Sequence, residues 1–487
     1  MPDLKHIIKI SRYFNWSLDA LVLGNDARIA GEMGNKTIKP EYGNLHEWEV
    51  YTSDLLTEYQ QSIEEGLDIE NYKELFDSVA KLPKGEVREQ FGDILFHIVL
   101  NAGQKAEYPY REPSELDEIR ALRKIPDDAA MGEKQVSEEQ IYGAWMGRIC
   151  GCMLGKTVEG MRTDELVPFL KETGNYPMHR YIYRSDLSEE ICKKYSFPLE
   201  LRVYADEIDG MPVDDDTNYV VLAQKTIEQC GRDFTPYDMS RIWLDSQSKD
   251  AYCTAERVAF CNFVKGYAPP ESAVYKNPYR EWIGAQIRGD YFGYINPGDP
   301  EKAAEMAWRD ASISHVKNGI YGEMFAAAML ACAAGEEDPE RILWGGLGQI
   351  PCTSRLYEAI VGILEDFHSG VTQEECFYKI HQRWDEFSSH DWCHTISNAE
   401  IVAASLLYGG GDYGKTICLA VQTGFDTDCN GATAGSILGM AKGIQIIPPY
   451  WRKPIGDTLH TSIFGVGTVS IKDKVHMTMR HIKEKRE

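Results

Sequence analysis

The stretch IYGAWMGRICGCMLGKTVEG, residues 141–160, sets Gly143, Gly147, Gly151 and Gly155 four residues apart. In an α-helix that spacing puts all four along one ridge. The same device returns in FDTDCNGATAGSILGMAKG, residues 425–443, which carries Gly431, Gly435, Gly439 and Gly443. An interior helical glycine costs about 1 kcal/mol relative to alanine, so eight of them in two helices require a compensating contact. Close approach of another backbone supplies one, because side chains on the ridge would prevent it. A membrane GxxxG dimer competes with this reading, but Arg148 interrupts the first segment and Lys442 the second. The expectation is buried helix packing in a soluble core.

Around these two helices the pattern is helical throughout. Beyond Val136, 3.6-residue periodicity and Ala-rich runs dominate and β-type alternation is scarce, which predicts an all-α domain over 138–487. Before it, the Pro-bearing connector from Tyr108 to Met131 marks a boundary. An acidic region over 45–125 shows two or three amphipathic helices, with apolar positions such as Leu55, Leu56, Tyr59, Phe91 and Leu95. Residues 51–70 hold Asp54, Glu58, Glu64, Glu65, Asp68 and Glu70 with no Lys or Arg, and read most simply as a solvated face. Residues 1–28 resemble the last two helices of a phage-repressor-type helix-turn-helix domain. The base-reading helices are missing, so no DNA activity is expected from this fragment.

Composition narrows the function. Lys+Arg 51 against Asp+Glu 76 gives 51 − 76 = −25 over 487 residues, which disfavours nucleic acid and anionic membranes as partners. Twelve scattered cysteines, with only Cys150 and Cys152 close together, read as reduced cytosolic usage. No stretch approaches the ~20 apolar residues of a membrane span, and Met1-Pro2-Asp3 opens no signal peptide, so a cytoplasmic location is expected.

Chemistry concentrates at two helix starts. Asp214-Asp215-Asp216-Thr217 precedes the apolar run from Tyr219 to Ile227, and Asp426-Thr427-Asp428 precedes the second glycine ladder. One Asp suffices to cap a helix, whereas three in a row repel one another unless a cation neutralises them. Carboxylates with a nearby hydroxyl are what hard divalent ions such as Mg²⁺ prefer.

These residues resemble the ADP-ribosylglycohydrolase family. Its opening motif, G-x-x-x-G-x-x-x-G-D-x-x-G-x-x-x-E, is matched by Gly143 through Glu159. Its T/S-D-D-T motif is matched by Asp214 to Thr217, and its G-x-D-x-D-T motif by Gly424 to Cys429. The likeness covers about residues 138–470 and implies an orthogonal helical bundle around two Mg²⁺ ions, or Mn²⁺. Asp214, Asp215, Asp216, Asp426, Asp428 and Cys429 would be the metal ligands, with Glu159, Asp215 and Asp426 acting in catalysis. Gly284, Ala285 and Gln286 would cradle a diphosphate, with His315, Asn318 and His394 as further substrate contacts. This chain departs from the motifs in having Cys152 for Asp, Asp214 for a hydroxyl residue and Cys429 for Thr. The implied activity is metal-dependent hydrolysis of the C1″ ribosyl bond of an ADP-ribosylated side chain or small-molecule conjugate. A non-hydrolytic ADP-ribose or nucleoside binding module is the alternative, and a DNA regulator a weaker third.

Overall fold

The computed structural model of the chain describes residues 40–126 and 135–484, so the helix-turn-helix-like fragment at 1–28 lies outside the described residues. Helices dominate. Eight of them carry the argument: α1 Leu55–Glu64, α2 Glu86–Leu100, α3 Glu138–Lys156, α4 Asp215–Cys230, α5 Lys317–Ala333, α6 Arg355–His368, α7 Thr395–Gly409 and α8 Thr427–Lys442. Among the described residues the named strands are two antiparallel ones, Thr458–His460 and Thr468–Ser470, with Leu459 opposite Val469. The fold is the all-α arrangement expected.

The two glycine ladders are each other's partners. α3 opens with a capping box, in which Ser137 Oγ accepts from Gln140 N at 3.2 Å and the Gln140 side chain accepts from Ser137 N at 3.1 Å. From there it runs antiparallel to α8. A Cβ on Gly143, Gly147 or Gly151 would lie within 3.0 Å of the carbonyl of Gly439, Gly435 or Gly431 in turn, and one on Gly155 would strike the backbone of Thr427 and Asp428. The reverse collisions hold for Gly431, Gly435 and Gly439. The pair is therefore backbone against backbone along its length, and both helices are buried on nearly every face. α5 and α7 are also buried on nearly every face, as helices in the middle of a core must be, with Glu323 and Glu400 among their buried polar residues.

The acidic region before residue 125 has a small core of its own, built from Leu55, Phe76, Val79, Leu95, Phe96 and Val99 on α1, α2 and the helix Lys73–Ala80 between them, with Tyr51 and Ile69 from the flanking turns. Its acids are not a solvated face, which corrects the reading above. Of the six acids in 51–70, Glu58 and Glu65 are buried, Asp54 and Glu64 half-buried, and only Asp68 and Glu70 exposed. Arg280 reaches Glu58 at 2.8 Å and Glu65 at 2.6 Å, and Lys317 meets Glu65 at 2.5 Å. Gln61 donates to Glu281 at 2.6 Å, and Asp54 accepts from the Tyr279 hydroxyl. The charge run docks the region onto the main domain, where removing one member of such a buried pair costs about 3–5 kcal/mol. Its cationic partners lie more than 200 residues along the chain. Among the described residues no helix is long and apolar enough to cross a membrane.

Candidate active site

The antiparallel register of the ladders decides where the acidic motifs meet. Because Gly155 packs on Thr427 and Asp428, the end of α3 and the start of α8 adjoin. Thr427 Oγ1 fastens them by donating to the Gly155 carbonyl at 2.9 Å. Lys156 and Glu159 thus arrive beside Asp426 and Asp428. α4 enters from a third direction. Asp214 caps it, its carboxylate accepting from Asp216 N at 2.9 Å. The preceding loop is pinned by Met211 N donating to Thr458 O and His460 N donating to Met211 O, at 2.9 and 3.0 Å. On the α8 side, Phe425 is buried with φ +58°, left-handed for a bulky residue. Such a conformation costs of order 1–3 kcal/mol, and here it lies in the turn that presents Asp426.

Asp214, Asp216, Asp426 and Asp428 are buried, while Asp215 and Glu159 are half-buried. Two cationic side chains meet them directly. Lys156 Nζ lies 2.6 Å from Asp214 Oδ2. Arg148, fully buried, donates to Asp216 Oδ1 at 2.9 Å, to the Asp216 carbonyl at 2.7 Å and to the Ile287 carbonyl at 2.6 Å, and pairs with Asp290 at 3.1 Å. Burial, then repulsion from Asp214 and Glu159, pushes Asp215 up to about 8. Burial with the charges of Asp426 and Asp214 lifts Glu159 to about 7. Asp426 is raised, and Asp216 and Asp428 stand well above the usual carboxylate range, burial being the first cause in each. So crowded a set of buried acids is electrostatically incomplete, and divalent cations are its natural complement.

Ligand geometry agrees. Single ligand atoms of Cys152, Asp214 and Asp216 lie within 4.8 Å of one another, as do those of Asp216, Asp428 and Cys429. The donor set therefore fits a divalent metal centre, with these residues able to hold it. The sequence profile of the ADP-ribosylglycohydrolase family matches residues 133–479, well over half the chain. The chain belongs to the ADP-ribosylglycohydrolase family. Membership supports a glycosyl hydrolase acting on ADP-ribose conjugates, in a family that typically uses divalent metals. No curated protein matches the chain. Among solved structures, one described as "ADP-ribosylglycohydrolase-related protein complex" is 16% identical, covers 71% of this chain and 98% of its own, and has a TM-score of 0.40.

The ADP-ribosylglycohydrolase site extends to the turn Ile283–Arg288, which Arg148 ties to Asp216 through the Ile287 carbonyl. The turn also adjoins Cys393, whose thiol donates to Asp426 Oδ2 at 3.4 Å. Gly284, Ala285 and Gln286 are thus brought beside the aspartates. Their surroundings differ from a simple phosphate cradle, because a side chain on Gly284 would collide with the Glu256 carboxylate. Glu256 is buried, pushed up to about 7 by burial and held against Arg288 at 2.8 Å. His315 is buried with Nδ1 2.9 Å from Ser314 Oγ. Asn318 is turned inward, donating to Glu281 at 2.9 Å through both its backbone N and its side chain and accepting from Leu356 N at 3.1 Å. His394 caps α7, its Nδ1 accepting from Ile396 N at 3.1 Å.

Glu64, His390 and His394 also lie at ligand distances from one another. Proton bookkeeping argues against a metal there. Trp282 Nε1 donates to His390 Nδ1 at 3.1 Å and Ile396 N donates to His394 Nδ1. Both Nδ1 atoms are acceptors, so in the neutral rings the proton sits on Nε2. His390 Nε2 meets Glu64 at 3.2 Å, and His394 Nε2 lies 3.8 Å from both Glu64 and Glu281. A metal-bound histidine instead donates its other N–H. The His390–Glu64 hydrogen bond, with His394 packed beside it, joins α1 to the main domain.

Sequence reasoning missed Arg148, Lys156, Arg162 and Cys393 as parts of this site. Arg148 and Lys156 carried a signal, since charged residues inside a buried glycine ladder need partners. Arg162 sits 4.7 Å over the Trp392 ring, and burial lowers its pKa against the raising influence of Glu386 and Asp426. Nothing in its sequence context singles it out.

Proposed function

We propose that the protein is a divalent-metal-dependent hydrolase that cleaves the C1″ ribosyl bond of an ADP-ribosylated side chain or small-molecule ADP-ribosyl conjugate, with Mg²⁺ or Mn²⁺ as the ions implied by the family resemblance. The observation that carries this reading is the convergence of Asp214–Asp216 and Asp426–Asp428, from distant parts of the sequence, into one largely buried cluster beside Glu159. Ions held by Asp214, Asp215, Asp216, Asp426, Asp428 and Cys429 would supply positive charge to orient the ribose hydroxyls and polarise the reacting oxygens.

The chain's own groups divide the remaining work. Ribosyl transfer to water passes through an oxocarbenium-like state, which favours a carboxylate that accepts a proton from the attacking water. Glu159, half-buried beside Asp426 and Asp214, is that carboxylate, and Asp215 and Asp426 assist. Lys156 holds Asp214 in place, and Arg148 fixes Asp216 relative to the Ile283–Arg288 turn. The half-buried Trp392 under Arg162 offers an aromatic face at the rim for a base. Residues 45–125 serve as an accessory unit that buttresses Glu281 and His394 from outside.

ADP-ribosyl-arginine, ADP-ribosyl-serine and a panel of nucleosides, each with Mg²⁺, Mn²⁺ or EDTA, test this. Release of ADP-ribose from at least one conjugate, abolished by EDTA and restored by metal, is the expected outcome. Binding of ADP-ribose with no turnover under any condition would support a non-hydrolytic module instead.

A further inference from the structure

Each of the two groups of candidate ligands contains one cysteine, and Asp216 belongs to both. We propose that Cys152 and Cys429 are sulfur ligands, one to each cation position, so that this centre takes borderline, thiol-binding divalent ions such as Zn²⁺ or Co²⁺ in preference to Mg²⁺. This rests on the reading of the aspartate cluster as a metal centre and specifies which ion it is built for.

The surroundings of the two thiols separate them from structural cysteines. Cys150, on α3 two residues before Cys152, is buried with its sulfur on the Trp451 carbonyl at 3.4 Å, and the Tyr181 hydroxyl donates to the Cys150 carbonyl at 3.2 Å. Cys152 is fully buried, with its sulfur beside the carboxylates of Asp214 and Asp216. Cys429 is 6% exposed and its sulfur lies 3.2 Å from Asp216 Oδ2. Arg148 engages Asp216 Oδ1, whereas Oδ2 accepts only from the Cys429 thiol, so that oxygen and that sulfur can turn to one cation together. Sulfur is a poor ligand for Mg²⁺ but a good one for Zn²⁺ and Co²⁺. As each metal–sulfur bond forms, the S–H bond breaks and its proton passes to solvent, with no change in oxidation state. Cys230, exposed at the end of α4 and in neither group, serves as an internal control.

Zn²⁺-loaded whole chain, read by X-ray absorption at the zinc edge, needs no variant. A sulfur scatterer at about 2.3 Å is expected alongside oxygen. Co²⁺ titration of the chelator-stripped protein should give a sulfur-to-cobalt charge-transfer band. C152S and C429S should each lose about half of it, the double variant all of it, and C230S none. Stoichiometric Co²⁺ or Zn²⁺ binding through oxygen alone, or a band that survives in the double variant, would overturn the proposal and leave the metal-centre reading standing. Failure to bind any divalent ion would remove both.

Discussion

Replacing Glu159 with Gln is expected to lower turnover by about 10²–10⁴-fold, the usual contribution of a positioned proton-transfer group, while metal affinity changes little. The substitution keeps shape and removes only the charge and the proton-accepting oxygen. The segment's position should survive it, because Arg202 holds the Glu159 carbonyl at 2.7 Å independently of the side chain. In the wild type, burial and repulsion from Asp426 and Asp214 keep the carboxyl near 7, against the opposing charges of Lys156 and Arg202. Cations held by Asp426 and Asp214 offset that repulsion and bring the carboxyl down, so that Glu159 is ionised and able to accept a proton at neutral pH. Steady-state kinetics with saturating metal, alongside calorimetric metal titration, separate the two effects. Parallel loss of turnover and metal affinity would make Glu159 a ligand and end its assignment as the base.

The second large effect concerns stability. Gly→Ala inside a helix normally stabilises by roughly 0.5–1 kcal/mol, yet at Gly151 the sign should reverse. The new Cβ would lie within 3.0 Å of the Gly431 carbonyl, and the obstacle is backbone, which no rotamer change can move aside. Relief requires α3 and α8 to separate, which loosens the rungs at Gly147 and Gly155 as well. A cost of about 3 kcal/mol or more is expected, at or above the top of the ordinary overpacking range. G362A supplies the contrast. Gly362 is an exposed position in α6 whose added Cβ would meet nothing within 4 Å, so that variant should be slightly more stable than wild type. Urea unfolding of the two variants checks the pair, and a neutral G151A would refute the packing account.

Much of the architecture was legible in the chain because glycine spacing reports a physical demand. Seven of the eight ladder glycines face backbone of the partner helix as required, while Gly443 lies just past the end of α8 at φ +79° and faces the Gln445 side chain. That the ladders face each other, and in antiparallel register, could not be read, since spacing names no partner. The same limit explains the error over residues 51–70. A run of acids looks solvated when its counter-ions, Arg280 and Lys317, are far off in sequence, and folding supplied them. At the site the aspartates were visible because consecutive carboxylates at helix starts are costly without a cation. Arg148 was read only as an interruption of an apolar segment, although a buried guanidinium inside a ladder is itself a demand for carboxylates. Gly284 illustrates the opposite case. A Gly-containing turn suggests an anion cradle, but the neighbour that decides its chemistry, Glu256, comes from another element.

The central claim is that aspartates from α4 and α8 form one cation centre. Equilibrium dialysis of the chelator-stripped whole chain against Mn²⁺, with bound metal counted by atomic emission, tests it most directly. Stoichiometric binding is predicted, lost when Asp426 and Asp428 are both changed to Asn while the helical circular dichroism signal persists. No bound ion in the wild-type chain, or the same ion count in the double variant, would contradict it.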